Sequence, residues 1–273
     1  MITLTMLGSG SRGNACALEA EGAVLLLDAG FSARELERRA EAVGVDIGRL
    51  TGIALTHEHN DHAQGATRLA SRHRVPVIAS GGTWRGLGAP NTATHLPLGA
   101  SGGVECGPFR ITGCPILHDA LEPLSISASA GGVRVSVAYD FGRPTQALRW
   151  FLRDTTAVVI ESNYDEVLLR TSEYPASVQH RIAGSGGHLS NRASAALLEE
   201  LMHPGLSAVV LAHLSQRCNT AEAARLTVEP VLRAAGFLGR LAVAVQERPL
   251  SSIGVSPPAG PSRPVPDLFD PIP

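Results

Sequence analysis

The chain has 273 residues, of which 44% are hydrophobic and 18% charged, so it can bury the core of one large layered domain. It contains no run of about 18 apolar residues and no basic, cleavable start, so we expect a cytoplasmic protein without a membrane span. Four scattered cysteines exclude a disulfide framework, and a net charge of −2 does not by itself indicate a nucleic-acid partner.

Hydrophobic patterning predicts strands and helices in alternation along most of the chain. The predicted strands are 2–7, 16–19, 24–27, 53–56, 75–79, several short antiparallel strands within 104–138, 157–160, 208–212 and 241–245. The predicted helices are 31–43, 66–72, 145–152, 166–173, 193–202 and 220–235. Strand groups followed by helices occur twice, which predicts an α/β fold with two sheets packed together and helices outside.

Three imidazoles and two carboxylates lie within residues 56–62, THEHNDH, directly after a predicted strand. Imidazole and carboxylate groups are ligands of zinc, manganese and iron. His57 and His59 have the alternating spacing of an extended segment, so both can face one point. Asp61 and His62 begin the next helix and can face a second point, so one loop can supply two adjacent metals. A surface loop that is rich in His and Asp by chance is the alternative interpretation, but chance rarely produces this order.

Three more residues with metal-binding side chains end apolar, strand-like runs. They are His118 after 114–117, Asp140 after 133–139 and His213 after 209–212. A buried carboxylate is costly unless it binds a cation or a charged partner. Taken singly, each residue is as readily a hydrogen-bonded strand end as a ligand. Together with the 56–62 loop, the three complete a site for two metals.

The order of these side chains resembles that of the metallo-β-lactamase superfamily. The matching residues are the motif His57-x-His59-x-Asp61-His62, then His118, Asp140 and His213. The resemblance spans nearly the whole chain before its last part. It implies an α/β fold, the four-layer αβ/βα metallo-β-lactamase sandwich, with the metals at one edge. Asp28 matches the superfamily's early aspartate, which usually supports the metal loop.

The resemblance also implies how the ligands divide between two divalent ions. These would be zinc or manganese, and iron suits the same ligands. The implied division is His57, His59 and His118 for one metal, Asp61, His62 and His213 for the other, and Asp140 as a bridge.

Three later segments resemble bacterial hydrolases of the YycJ (WalJ) type within that superfamily. They are 161–165 (ESNYD), 187–191 (GHLSN) and 213–219 (HLSQRCN), and the Gly-rich stretch 8–14 and the 174–182 segment fit as well. Two residues depart from the family pattern. Tyr164 stands where members commonly have His, and Cys218 stands where an Asn precedes Asn219. Both departures can alter substrate contacts.

The order of an acid, Gly-His-Leu-Ser and His-x-Ser is also similar to that of ribonuclease Z-like phosphodiesterases, in which the first His is a proton donor oriented by the acid. On this chain the resemblance makes His188 the donor and Glu161 its partner, and Asp61 is the third predicted catalytic residue. A metal-bridging hydroxide would attack the phosphodiester, and His188 would protonate the leaving oxygen. The alternative for His188 is a residue of a Gly-rich turn without a catalytic role.

The sequence therefore predicts a dinuclear metal-dependent phosphodiesterase. Its expected substrate is nucleic acid, DNA with a free or single-stranded end, degraded in the manner of a 5′-to-3′ exonuclease. A hydrolase of small thioesters or cyclic nucleotides on the same metal site is the alternative. A non-catalytic regulatory protein on this scaffold predicts degraded ligand positions, whereas all of them are filled here.

The last part of the chain turns to Pro, Ser and Gly with little periodicity. We therefore predict a hydrolase domain over 1–250 and a disordered, Pro-rich tail over 251–273. Within the tail, residues 265–269 (VPDLF) resemble the Leu-Phe end of peptides that bind the bacterial sliding clamp, with Val265 where Gln is usual. An incidental Leu-Phe pair is the alternative interpretation.

Overall fold

A computed structural model describes residues 1–100 and 102–258, which form two sheets with helices on their outer faces. The strands are β1 (Ile2–Gly8), β2 (Ala15–Ala20), β3 (Ala23–Leu27), β4 (Leu50–Ala54), β5 (Val77–Ala79), β6 (His95–Pro97), β7 (Val104–Cys106), β8 (Phe109–Pro115), β9 (Leu124–Ala130), β10 (Val133–Ala138), β11 (Ala157–Glu161), β12 (Ala208–Ala212), β13 (Arg240–Val243) and β14 (Ile253–Val255). The helices are α1 (Ala33–Ala42), α2 (Asn60–Ala63), α3 (Ala66–His73), α4 (Gly81–Gly86), α5 (Gln146–Phe151), α6 (Glu166–Arg170), α7 (Ala176–Ala183), α8 (Asn191–Glu200) and α9 (Ala221–Ala234), with a 3-10 helix at Ile47–Arg49.

The two sheets have the same plan. The first has the strand order β14-β1-β2-β3-β4-β5-β6 and the second the order β13-β12-β11-β10-β9-β8-β7. In the first sheet β3 to β6 are parallel, and in the second β10 to β13 are parallel. The carboxyl ends of parallel strands meet at one edge of a sheet, so each sheet collects its strand-end residues there.

Three cores hold the layers together. Between the sheets, alternate residues of β1, Ile2, Leu4 and Met6, pack in one core with Val135 and Val137 of β10. A second core joins the first sheet to α1 and α3, and a third joins the second sheet to α5, α8 and α9. The predicted four-layer αβ/βα sandwich is therefore confirmed.

Most helix limits lie within two residues of the predicted ones, and caps set several of them. The side chain of Ser32 accepts a hydrogen bond from the backbone N–H of Glu35 at 3.2 Å, so α1 begins after Ser32 and not at Phe31. Phe31 instead packs in the core beneath α1. Among the described residues, no helix combines the length and the apolar character that crossing a bilayer requires.

The predicted start of the tail at residue 251 is wrong. Ile253–Val255 forms β14, which runs antiparallel to β1 with Leu4 opposite Ile253. Ile253 and Val255 are only 2% and 1% exposed. Three strand residues between Pro- and Ser-containing flanks give too short a periodic signal to be recognised. The folded part therefore extends at least to Val255, and the rest of the predicted tail beyond Pro258, including 265–269, lies outside the described residues.

Shortening the side chain of Ile253 is expected to destabilise the protein. Ile253→Ala should lower the free energy of unfolding by about 2–5 kcal/mol, because a buried Ile side chain leaves a cavity. Ser251→Ala, an exposed neighbour on the same segment, should change it by less than about 0.5 kcal/mol. Urea denaturation measures both, and equal stability of the two variants would contradict the packing of β14 in the core.

Candidate metal centre

The predicted site residues meet at the edge where the parallel strands of both sheets end. Asp28 follows β3, and His57 lies shortly after β4. From the second sheet, Asp140 follows β10, Glu161 ends β11 and His213 follows β12. His118 and His188 lie on loops that reach the same edge. The structure thus brings together all nine residues predicted from the sequence, which are His57, His59, Asp61, His62, His118, Asp140, Glu161, His188 and His213.

Three of the strand-end residues have a left-handed backbone conformation. The φ angles of Asp28, Asp140 and His213 are 60°, 55° and 54°. Asp and His tolerate this region better than most residues, but each such position still costs on the order of 1–3 kcal/mol. The three side chains that follow these strand ends lie at the same centre. Strained backbone conformations of this kind cluster at functional sites.

His57, His59 and His118 form one group of candidate ligands. Nε2 of His118 lies 3.3 Å from Nδ1 of His59, and the His57 and His59 rings are 4.6 Å apart. The remaining nitrogens of His59 and His118 lie 3.1 Å from the backbone carbonyls of Asp119 and Gly186. An N–H donated to a carbonyl leaves the opposite ring nitrogen unprotonated and free to bind a metal.

Asp61, His62 and His213 form the second group. Oδ2 of Asp61 lies 3.6 Å from Nε2 of His62 and 3.4 Å from Nε2 of His213. The Nδ1 atoms of these histidines are held from behind, by Asp28 at 2.7 Å and by Glu161 at 2.8 Å. A carboxylate behind an imidazole is the usual support of a metal-binding histidine. Asp28 therefore has the supporting position that the resemblance implied.

Asp140 lies between the two groups. Its Oδ2 is 2.9 Å from Nε2 of His62 and 3.8 Å from Nε2 of His57. Among the described residues, Nε2 of His57 has no hydrogen-bond partner, and Oδ2 of Asp140 has only the close approach of His62, which lacks hydrogen-bond geometry. Buried polar atoms without partners are costly, and both point into the same space. The imidazole nitrogens and carboxylate oxygens gathered here therefore fit divalent metal ions.

The carboxylates give the centre a strongly negative potential. Burial lowers the pKa of His62, but the charges of Asp28 and Asp140 outweigh burial and raise it to about 10. Burial likewise opposes protonation of His213, yet Asp140 is the main cause that raises its pKa well above the ordinary value. The pKa of His57 is lowered, by burial first and then by the neighbouring His62. A potential that favours positive charge on buried imidazoles also attracts a divalent cation.

His188 belongs to neither group of three, but it lies within metal-binding distance of Asp140, Glu161 and His213. Its Nδ1 lies 2.7 Å from Oε1 of Glu161 and 3.2 Å from Oδ1 of Asp140. Glu161 is fully buried, and its Oε2 accepts hydrogen bonds from the backbone N–H groups of Phe141 and Leu189. Burial lowers the pKa of His188, but the charge of Glu161 outweighs it and the pKa rises to about 9. Glu161 thus holds His188 in place and favours its protonated form.

The centre opens into a cleft of about 440 Å³. The residues that line it are Ser11, His59, Asn60, Asp61, His118, Asp119, Asp140, Arg181, Ile182, Gly186, Gly187, His188 and His213. A larger cavity of about 630 Å³ lies beside Phe237 and Leu238, but its lining includes no carboxylate. The chemistry therefore favours the smaller cleft as the functional one.

Two residues that sequence reasoning did not assign join the two halves of the centre. The hydroxyl of Ser9 accepts a hydrogen bond from the backbone N–H of His213 at 2.7 Å and donates one to Oδ1 of Asn14 at 2.7 Å. The backbone N–H of Asn14 donates to the carbonyl of Asp61 at 2.8 Å. A Cβ on Gly30 would lie 1.7 Å from that carbonyl, so only glycine fits there. Ser9 and Asn14 both lie in the Gly-rich stretch 8–14, which fits the family pattern but for which the sequence predicted no function.

The two departures from the family pattern lie away from the candidate ligands. Tyr164 and Cys218 are buried with Leu169 in a small apolar cluster, against which Tyr174 and Ile182 pack. Ile182 also lines the cleft. The packing of Ile182 therefore connects these two residues to the cleft.

The chain is similar in sequence to known proteins of one superfamily. Residues 8–122 match the family model of the metallo-beta-lactamase superfamily. Over 239 residues the chain is 30% identical to "Exodeoxyribonuclease YycJ" of Bacillus anthracis, covering 85% of this chain and 90% of that protein. It is 26% identical over 230 residues to "Exodeoxyribonuclease WalJ" of Streptococcus pneumoniae serotype 2, covering 82% of this chain and 86% of that protein.

Solved structures show the same fold at low identity. The metallo-beta-lactamase fold protein YhfI from Bacillus subtilis has a TM-score of 0.69 at 15% identity, with 91% of this chain and 98% of that chain covered. The short form of human tRNase Z has a TM-score of 0.61 at 16% identity, with 92% and 98% covered. At such identities the likeness concerns the fold alone.

Proposed function

This chain belongs to the YycJ family of the metallo-β-lactamase superfamily and is a metal-dependent hydrolase, and we propose that it is a dinuclear phosphodiesterase that degrades DNA from a free end. The observation that carries the proposal is the pair of Glu161 and His188. It presents an imidazole beside the two groups of three candidate ligands, with its Nδ1 held 2.7 Å from a buried carboxylate. Both relatives are named exodeoxyribonucleases, which supports DNA as the polymer.

Two divalent ions agree best with the donor set. The proposed ligands are His57, His59 and His118 for one ion, Asp61, His62 and His213 for the other, and Asp140 between them. The unpartnered Nε2 of His57 and Oδ2 of Asp140 support this division. When bound, such ions stabilise charge on a phosphoryl group and activate water. Imidazole and carboxylate suit zinc, manganese and iron.

The side chains of the cleft then have separate tasks. Asp61 is 26% exposed at the side chain, more than His62 or His213, so its carboxylate can accept a hydrogen bond from an incoming water molecule and orient it. Nδ1 of His188 is engaged by Glu161, so its Nε2 is the atom that faces the cleft and donates a proton to the leaving oxygen. A leaving alkoxide needs such a donor because it is a strong base.

A substrate panel tests the proposal. Single-stranded DNA labelled at the 5′ or the 3′ end, RNA of the same sequence, closed circular single-stranded DNA, a thioester, a cyclic nucleotide and bis(p-nitrophenyl) phosphate are incubated with enzyme and zinc or manganese. Linear DNA should be shortened, with the 5′ label released first as a small product, and circular DNA should survive. Cleavage of the circle would contradict action from an end. Turnover of the thioester or cyclic nucleotide with intact DNA would favour the small-molecule alternative.

A further inference from the structure

One wall of the cleft is formed by α7 and the loop that follows it. No residue of α7 is buried, and the apolar cluster of Tyr164, Leu169 and Cys218 supports the helix through Ile182. Arg181 is exposed and lines the cleft next to Ile182. The helix therefore adds little to the core, but it carries a guanidinium to the edge of the candidate active site.

Arg181 is the one arginine among the described residues that line the cleft, and the same lining includes three aspartates, Asp61, Asp119 and Asp140. It forms no ion pair with a carboxylate in the described part of the chain. The arginines that do form ion pairs there are Arg38, Arg39, Arg72, Arg110, Arg149, Arg192, Arg225 and Arg233. The guanidinium of Arg181 is thus available to an external anion.

Arg143 and Arg217 flank the same wall. The backbone N–H of Gly142 donates to the carbonyl of Ser185 at 3.2 Å, and a Cβ on Gly142 would lie 1.8 Å from the carbonyl oxygen of Gly184. This close approach puts Arg143 beside the loop after α7. At the other end of the helix, Arg217 lies over the ring of Tyr174, 5.3 Å from its centroid.

Neither Arg143 nor Arg217 forms an ion pair within residues 1–100 and 102–258, and both are exposed. The eight residues of α7 span about 12 Å at about 1.5 Å per residue. At about 3.4 Å per nucleotide of a stacked strand, a helix of this length lies alongside about three nucleotides. The cleft beside this wall has a volume of about 440 Å³, in the range that holds one drug-sized ligand.

We propose that Arg181, flanked by Arg143 and Arg217, binds the sugar–phosphate backbone of a single nucleic-acid strand beside the scissile bond. The inference rests on the proposed function, since it names the contact that selects a polymer. The planar fork of arginine binds phosphate oxygens in pairs. A small diester has no neighbouring phosphate, so this contact favours a strand over a small diester at the same metal centre.

The test compares Arg181→Ala and Arg181→Lys with Arg153→Ala. Arg153 is an exposed arginine between α5 and β11, at the end of β11 opposite to Glu161. Its loss changes the net charge by the same amount as the loss of Arg181, but at a position away from the candidate centre. Binding of a fluorescein-labelled single-stranded oligonucleotide is measured by anisotropy over a series of salt concentrations. The ratio of kcat/KM for that oligonucleotide to kcat/KM for bis(p-nitrophenyl) phosphate is the second readout.

Arg181→Ala should raise the Kd for the oligonucleotide about tenfold, the effect of about 1.4 kcal/mol from one charge-assisted contact. The slope of log Kd against log salt should fall by about 0.7, the loss of one phosphate contact on a single strand. The kcat/KM ratio should fall about tenfold as well. Arg181→Lys should recover part of each effect, because lysine binds phosphate as a point charge, and Arg153→Ala should resemble the wild type.

Each outcome separates this inference from the proposed function. A wild-type Kd and salt slope in Arg181→Ala would overturn the inference even if DNA is cleaved. Equal weakening by Arg181→Ala and Arg153→Ala would overturn it too, since net charge alone would then explain binding. If the wild type cleaves neither DNA nor the small diester, while Arg181→Ala still weakens oligonucleotide binding, the catalytic proposal fails and the strand contact stands.

Discussion

Replacing His188 by alanine is expected to lower the kcat for DNA cleavage by about 10²- to 10⁴-fold, the usual contribution of a general acid. The reason is geometric. Nδ1 of His188 is held 2.7 Å from Glu161, which leaves Nε2 to serve the leaving oxygen in the cleft. His180→Ala is the matched control, because His180 is an exposed histidine of the neighbouring α7 and does not line the cleft.

The leaving group distinguishes a proton donor from a residue that merely shapes the site. p-Nitrophenolate is a weak base and leaves without a proton, whereas the alkoxide released from DNA does not. His188→Ala should therefore lose much less activity on bis(p-nitrophenyl) phosphate than on DNA. An equal loss on both substrates would contradict the donor role, and so would full activity on DNA.

Glu161 is a less specific target than His188 for this test. Its Oε1 lies 2.7 Å from Nδ1 of His188 and 2.8 Å from Nδ1 of His213. A substitution of Glu161 would disturb both the candidate donor and a candidate metal ligand, so its effect could not be divided between them. His188 can be removed while the support of His213 stays in place.

The sequence predicted which side chains lie together at this edge better than it predicted the contacts among them. Asp140 and His213 were recognisable because each ends an apolar strand with a side chain that is costly to bury there. The sharing of Glu161 by two imidazoles was not predictable, because it depends on the lateral distance between β11 and β12 and the loop that carries His188. Periodicity along a chain contains no such lateral distances.

The missing parts of the prediction share a physical cause. Ser9 and Asn14 connect the backbone at His213 to that at Asp61, and polar contacts of this kind leave no hydrophobic pattern. The α7 helix has no buried residue, so its sequence lacks the apolar stripe that marks a helix. β14 is three residues long, and its two inward side chains are too few to establish a period.

Removing the carboxylate of Asp140 is expected to have the second large effect. Asp140→Asn keeps the size of the side chain but removes the charge between the two candidate ligand groups, where Oδ2 lies 2.9 Å from His62 and 3.8 Å from His57. Loss of a residue behind a metal ligand typically costs about 10- to 100-fold in metal affinity or activity. A carboxylate shared by both ions should cost more, so we expect DNA cleavage to fall by at least about 100-fold.

Metal content and thermal stability provide readouts that do not depend on the substrate. Asp154→Asn is the matched control, since Asp154 has the same left-handed conformation, φ 56° against 55° for Asp140, but precedes β11 at the edge opposite the candidate centre. A ligand that binds only the folded state raises the Tm. The proteins are first stripped of metal with a chelator. Adding zinc or manganese should then raise the Tm of the wild type and of Asp154→Asn, and should raise the Tm of Asp140→Asn by less. Equal metal content by mass spectrometry and an equal rise in Tm for all three proteins would show that Asp140 is not a ligand.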